Sequence, residues 1–126
     1  MRLTFTQLDG AYSIVHLPAD DAVPAWANGD GLVTLTWALD EVSITCLTAR
    51  VPSDVTASHG WTALRVDTLA DLDAPGVVMA AVTPISTAGH GVFVLSSHLR
   101  DHLLVRTDAV PDIRALLADA GHDVAQ

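Results

Sequence analysis

The sequence predicts an α+β fold made of two tandem units, the first (1–60) abbreviated and the second (61–126) complete, with antiparallel strands. Three observations carry this. GLVTLTWALDEVSITCL (31–47) lies without a gap over GVFVLSSHLRDHLLVRT (91–107), sixty residues on. Each copy starts with glycine, runs strand-like, turns polar, and runs strand-like again, which predicts the same β-hairpin twice. In addition, only the second half carries two stretches of 3.6-residue apolar periodicity.

In chain order, AYSIVHL (11–17) alternates as a strand, DAVPAWAN (21–28) predicts a short helix or turn, and the first hairpin follows. RVPSDVTASHG (50–60) has no periodicity and reads as a linker. WTALRVD (61–67) is strand-like. The helix expected over 72–89 has Asp73 as N-cap and Pro75 in its first turn. Its apolar stripe is Val77, Val78, Ala81, Val82 and Ile85, and Gly89 ends it. Pro84 is expected to kink that helix or end its regular part early, because proline has no N–H and crowds the preceding turn. After the second hairpin, a helix over 108–121 is expected, capped by Asp108, with Pro111 in its first turn and Gly121 after its last. Val110, Ile113, Leu116, Leu117 and Ala120 form its stripe. His122–Val124 suits a final edge strand.

Composition narrows the function. Half of the residues are hydrophobic and 17% are charged, enough apolar content for a packed core. Fifteen acidic against six basic residues give a formal charge of −9. That excludes nucleic acid and anionic membrane surfaces as the expected partners, since little is present to neutralise phosphates. The long uncharged stretch 74–99 contains prolines, glycines and histidines and makes a poor membrane span. Cys46 has no second cysteine to pair with, and the first residues lack the apolar region of a signal peptide, so a cytoplasmic protein is expected. The apolar surface left on so small a chain points to a homodimer.

The residues also resemble a known family. LDAPGVVMAAVTPISTAGHGVFVLSS (72–97) is similar to the signature of ACT domains: Asp-x-Pro-Gly opening a helix, then a glycine-bounded turn into a strand. AYSIVHLPAD, PAWA, VTLTW and the Gly60–Trp61 pair extend the likeness to small bacterial proteins of two ACT-like halves. These are related to the ACT modules of arginine sensors and aspartate kinases. The resemblance implies ferredoxin-like βαββαβ units with helices on one face of the sheet, pairing of units, and a small ligand, most often an amino acid, at an interface. It implies a pocket from Asp73, Pro75 and Gly76 at the helix start and Leu95, Ser96 and Ser97 on the next strand. Where the subfamily has Ile-Ser-Thr-Tyr-x-Thr-Asp-Tyr, this chain has LSSHLRDH. Ser96 and Asp101 match; His98 and His102 replace tyrosines, and Arg100 replaces threonine.

Chemistry at these positions has more than one reading. Amides near Pro75, Gly76 and Val77, at the positive end of a helix dipole, suit a carboxylate or phosphate; the plain alternative is that Asp73 caps and Gly76 packs. His98 and His102, four apart, would share one face of a helix and suit zinc, but on a hairpin tip that spacing loses its meaning. A solvated tip, ligand contacts and acid–base catalysis by His98, His102 and Asp101 stand beside it. Asp101 suits a ligand ammonium, or a surface ion pair with Arg100 or Arg106. Trp26, Trp37 and Trp61 read as packing residues, and Cys46 as a packed small residue. No metal or cofactor is expected. The leading expectation is a module that binds or senses a small ligand, probed by titration; the others are a small enzyme on the same scaffold and a partner that pairs its sheet edge.

Overall fold

Alternation and turn residues place both expected hairpins and both expected helices. The computed structural model describes every residue, Met1–Gln126. In chain order the elements are β1 (Thr4–Gln7), β2 (Tyr12–Leu17), β3 (Thr34–Trp37), β4 (Val42–Leu47), β5 (Ala57–Val66), α1 (Val77–Thr87), β6 (Phe93–Ser96), β7 (Asp101–Arg106), α2 (Val110–Asp119) and β8 (Asp123–Ala125). Single 3-10 turns lie at Ala25–Ala27, Thr48–Arg50 and Thr107–Ala109. The chain divides into one unit of Gly10–Trp61 and another of Met1–Asp9 with Thr62–Gln126.

In the Gly10–Trp61 unit, β4 pairs antiparallel with β2 (Tyr12↔Leu47 to Leu17↔Val42) and with β3 (Thr34↔Thr45 to Trp37↔Val42). Val15, Ala27, Val42, Ile44 and Cys46 form its core. The element expected at 21–28 is only the turn Ala25–Ala27. The expected linker ends in strand, because Ala57 and Ser58 pair with Val15 and Ile14 of β2. Ser58, His59 and Gly60 read as turn residues locally, and the neighbouring strand overrides that preference.

In the other unit, the strand order is β6-β7-β5-β1-β8. Leu3 and Phe5, Leu64 and Val66, and Leu103 and Val105 alternate onto one sheet face. There they meet Ala81 and Ile85 of α1 and Val110, Ile113 and Leu117 of α2, so both helices lie on one face, as expected. The sheet is not purely antiparallel. β1, which the sequence reading missed, stands between β5 and β8; it pairs antiparallel with β5 and parallel with β8. A last strand running opposite to β5 meets the inserted β1, itself opposite to β5, in parallel.

Three helix details differ from expectation. First, α1 starts at Val77 with Gly76 as its cap (φ 91°, ψ −8°), and no side chain caps it. Asp73 therefore is not the N-cap, and Pro75 precedes the helix. Pro75 biases Ala74 away from helical geometry, and the left-handed Gly76 breaks any earlier helical run. Second, Asp108 does not cap α2: it sits inside the Thr107–Ala109 turn, and Ala109 holds the cap position. Third, Pro84 does not end α1, which continues to Thr87. Both helices close with paired bonds over a glycine. Gly89 N–H reaches Ser86 O and His90 N–H reaches Ile85 O; Gly121 N–H reaches Ala118 O and His122 N–H reaches Leu117 O. The left-handed turn at Gly121 (φ 93°) is what brings His122 back over the helix.

His122 explains why Pro84 is tolerated. A proline at 84 leaves the carbonyl of Ala80 without its helical donor. The buried His122 ring supplies one: Nε2–H donates to Ala80 O at 3.0 Å, while Nδ1 accepts from Leu3 N–H at 2.9 Å. An amide can only donate, so this pairing sets the tautomer. The ring also packs edge-on against Phe5, centroids 5.7 Å apart.

The hairpin repeat is present in the backbone, but its offset is fifty-nine residues. Thr34↔Thr45 corresponds to Phe93↔Leu104, and Trp37↔Val42 to Ser96↔Asp101. Asp101 thus matches Val42, His98 matches Leu39, and His102 matches Ser43. With a side-chain period of two, a one-residue slip places every matched pair on opposite faces.

His122→Phe should cost about 2–4 kcal/mol, since it leaves a buried donor and a buried acceptor unpaired. In a Pro84→Ala background residue 84 regains an N–H for Ala80, so the cost should shrink. Urea unfolding of the four proteins in that cycle reads the difference; equal costs in both backgrounds would count against the compensation.

Candidate functional site

The β6–β7 hairpin closes tightly: Ser97 N–H and Ser97 Oγ both donate to Arg100 O, at 3.0 and 2.9 Å. Ser96 and Asp101 are cross-strand partners, and Ser96 Oγ donates to Asp101 Oδ1 at 2.6 Å. By alternation with Leu103 and Val105, Asp101 projects on the helix side of β7. There an open cavity of about 290 Å³ lies between the α1 start, the segment after β5, and the hairpin tip. Its walls are Gly76 to Met79, Val66 with Thr68 and Ala70–Leu72, and Ser96 to Asp101.

The α1 wall is chemically distinct. The first helical bond runs from Ala80 N–H to Gly76 O, so the amides of Val77, Val78 and Met79 have no partner inside the helix, and no side chain caps them. They carry the positive end of the helix dipole. The opposing groups are Asp101 and Asp71. The mouth is apolar, with Leu69, Leu72, Met79 and Leu99 between 59% and 72% exposed. A group with one negative and one positive end and an apolar body suits this arrangement.

The structure sorts the residues expected at the site. Gly76, Val77, Ser96, Ser97, His98 and Asp101 line the cavity. Asp73 and Pro75 lie in the preceding turn and shape it without lining it. Leu95 and His102 are cross-strand partners on the other face of the sheet. His98 and His102 therefore do not share a pocket, which an acid–base pair acting on one substrate would require. The wall from Thr68 to Leu72 was not read from the sequence. Its signal is slight: two leucines, Leu69 and Leu72, exposed in an otherwise polar loop.

A polar cluster backs the hairpin. Asp67 Oδ2 accepts from Thr6 Oγ at 2.5 Å, and Asp67 Oδ1 pairs with Arg65 Nε at 2.6 Å and with Arg100 Nη1 at 3.6 Å. Burial pushes the Asp67 carboxyl up, but the Thr6 hydroxyl and the two guanidiniums outweigh it and hold its pKa below the ordinary value. Burial lowers the pKa of His102, and Arg100 and Arg65 push it the same way against the weaker pull of Asp101 and Asp67. No three His, Cys, Asp or Glu side chains gather as a metal site, and no helix is long and apolar enough to cross a membrane.

A βαββαβ unit with both helices on one sheet face defines an α+β domain of the ferredoxin-like kind. The chain belongs to the ACT domain family, whose model matches residues 56–119. A second model, describing an N-terminal domain, matches residues 10–54. Among solved structures, protein Atu0741 from Agobacterium tumefaciens is 41% identical, with a TM-score of 0.93 over 98% of this chain and 92% of that one. E. coli aspartokinase III, in complex with aspartate and ADP, is 12% identical, with a TM-score of 0.61 over 94% of this chain and 32% of that one. The ligand-free regulatory subunit of aspartate kinase from Thermus thermophilus is 6% identical, with a TM-score of 0.58 over 87% of this chain and 91% of that one. The last two share the fold. No curated protein matches the chain.

His102 makes stability depend on pH. Its folded pKa lies below the ordinary 6.5, so the unfolded chain takes up the proton first as pH falls. Stability should be full above about pH 6.5 and decline below it, by at most about 1.4 kcal/mol per pH unit from this one group. Urea midpoints at pH 7.5 and 5.5 should differ less in His102→Gln than in the wild type.

Proposed function

We propose that the chain is a regulatory module that binds a small amino acid or related carboxylate in the cavity between α1 and the β6–β7 hairpin. One observation carries this reading: three uncapped helix amides and the Asp101 carboxylate open onto the same small cavity. The ligand carboxylate sits on the amides of Val77 to Met79, its ammonium beside Asp101 and Ser96, and His98 at the rim. Family membership supports the reading, and so does the bound aspartate named for a fold neighbour, E. coli aspartokinase III. The expected first half, 1–60, gives up its opening residues: Met1–Asp9 goes with Thr62–Gln126, and Gly10–Trp61 forms the other unit.

Calorimetric titration with the twenty L-amino acids should find at least one that binds, and Asp101→Asn should weaken it about tenfold, the equivalent of 1.4 kcal/mol. If the wild type binds none of the twenty, the reading is wrong.

We also propose that two copies pair. The exposed apolar mouth of the cavity supports this, because monomers rarely leave such residues contiguous. Light scattering behind size exclusion should give twice the 13.2 kDa chain mass; a monomer at tens of micromolar would refute it.

A further inference from the structure

Two walls of the cavity, the segment from Thr68 to Leu72 and the hairpin tip from Ser97 to Arg100, are stretches without regular structure. Each is tied down by its own bonds. Asp67, at the head of the first, is a fixed post: its N–H donates to Thr4 O at 2.7 Å, and its carboxylate holds Thr6 and Arg65. Thr68 Oγ accepts from Thr4 N–H at 2.9 Å. The hairpin tip is closed on itself by the two Ser97 bonds to Arg100 O. Arg100 is thus the residue whose backbone closes the tip, and its guanidinium reaches back to the post.

We propose that the Arg100–Asp67 ion pair is a strap between the two walls, and that Arg100 is a positioning residue that sets the width of the cavity. This rests on reading the cavity as the ligand site. Arg100 does not need to touch the ligand to act. Asp101 is its immediate neighbour, so movement of the tip moves the carboxylate relative to the amides of α1. A strap of this kind contributes through geometry more than through energy. Its contact is long, at 3.6 Å, between side chains that are 23% and 24% exposed, and a pair at that distance adds little to global stability. What it removes is freedom of the tip, which a ligand would otherwise have to freeze on binding.

Amide hydrogen exchange on the full chain without added ligand tests the strap directly. Arg100→Gln should raise exchange about twofold to fivefold at Ser97 and Ala74, whose N–H groups bond to Arg100 O and Asp71 O in the two walls, with α2 and β1 unchanged, as expected when a pair worth up to about 1 kcal/mol is lost. Asp67→Asn should do the same at the tip, although it also loosens Thr6 and Arg65. Arg100→Lys, which keeps the charge, should restore most of the protection. Unchanged exchange at both walls in Arg100→Gln, or no rescue by lysine, overturns the proposal. Titration of Arg100→Gln with the same L-amino-acid panel adds the functional arm, with a loss of affinity of similar size expected and equal affinity counting against it. Should the wild type bind none of the panel, the ligand reading fails, while the exchange data still decide the strap.

Discussion

One imidazole, that of His122, joins three parts of the Met1–Asp9 and Thr62–Gln126 unit. It takes a proton donor from the strand that opens the chain and gives one to the middle of α1, and it reaches both from the turn that ends α2. Each partner is a backbone group that strand and helix ladders leave unpaired. Buried groups of that kind cost more when orphaned than a paired group gains. The position of β1, the continuation of α1 past Pro84 and the exit of α2 therefore constrain one another through a single side chain. The cavity inherits this, since α1 forms one of its walls and begins only two turns before Pro84.

That wall depends on a different local rule. α1 has no side-chain cap, and the left-handed Gly76 starts it abruptly. A serine or aspartate at that position would satisfy one of the amides that face the cavity. Chemistry across the cavity is complementary: acid on the hairpin and the post-β5 segment, amides on the helix, leucines at the mouth. On the far side of the sheet, Asp67, Arg65, Arg100 and His102 hold the back of the hairpin.

Much of this was legible in the sequence, and the parts that were not have physical reasons. Helical periodicity found α1 and α2 because each buries a stripe that repeats every turn. Their starts were misplaced because Asp73 and Asp108 look like caps, whereas a Pro-Gly pair and a 3-10 turn decided the geometry. β1 was missed: four residues with one buried, Phe5, and Leu3 buried just before them, form too short an alternation to stand out. The start of β5 was missed because Ser58, His59 and Gly60 prefer turns, and pairing of β2 with Ala57, Ser58 and Trp61 on either side carries the strand through them. Of the cavity, the helix start and hairpin tip were visible as motifs, but the third wall was not, because it has no motif. His102 was placed with His98 because both stand where the resembled pattern has tyrosine; His98 sits in the turn that lines the cavity, whereas His102 lies in β7 and faces the other side of the sheet.

The hairpin repeat carries a consequence of its own. In the Gly10–Trp61 unit the position before the second strand's buried run is Val42, sealed in the core; at the matching place after it the chain carries Asp101, open to the cavity. Backbone pairing is the same in both. The two copies thus divide labour without any change of frame: one uses that position as a keystone and the other as a hand held out, and a single side chain separates the roles.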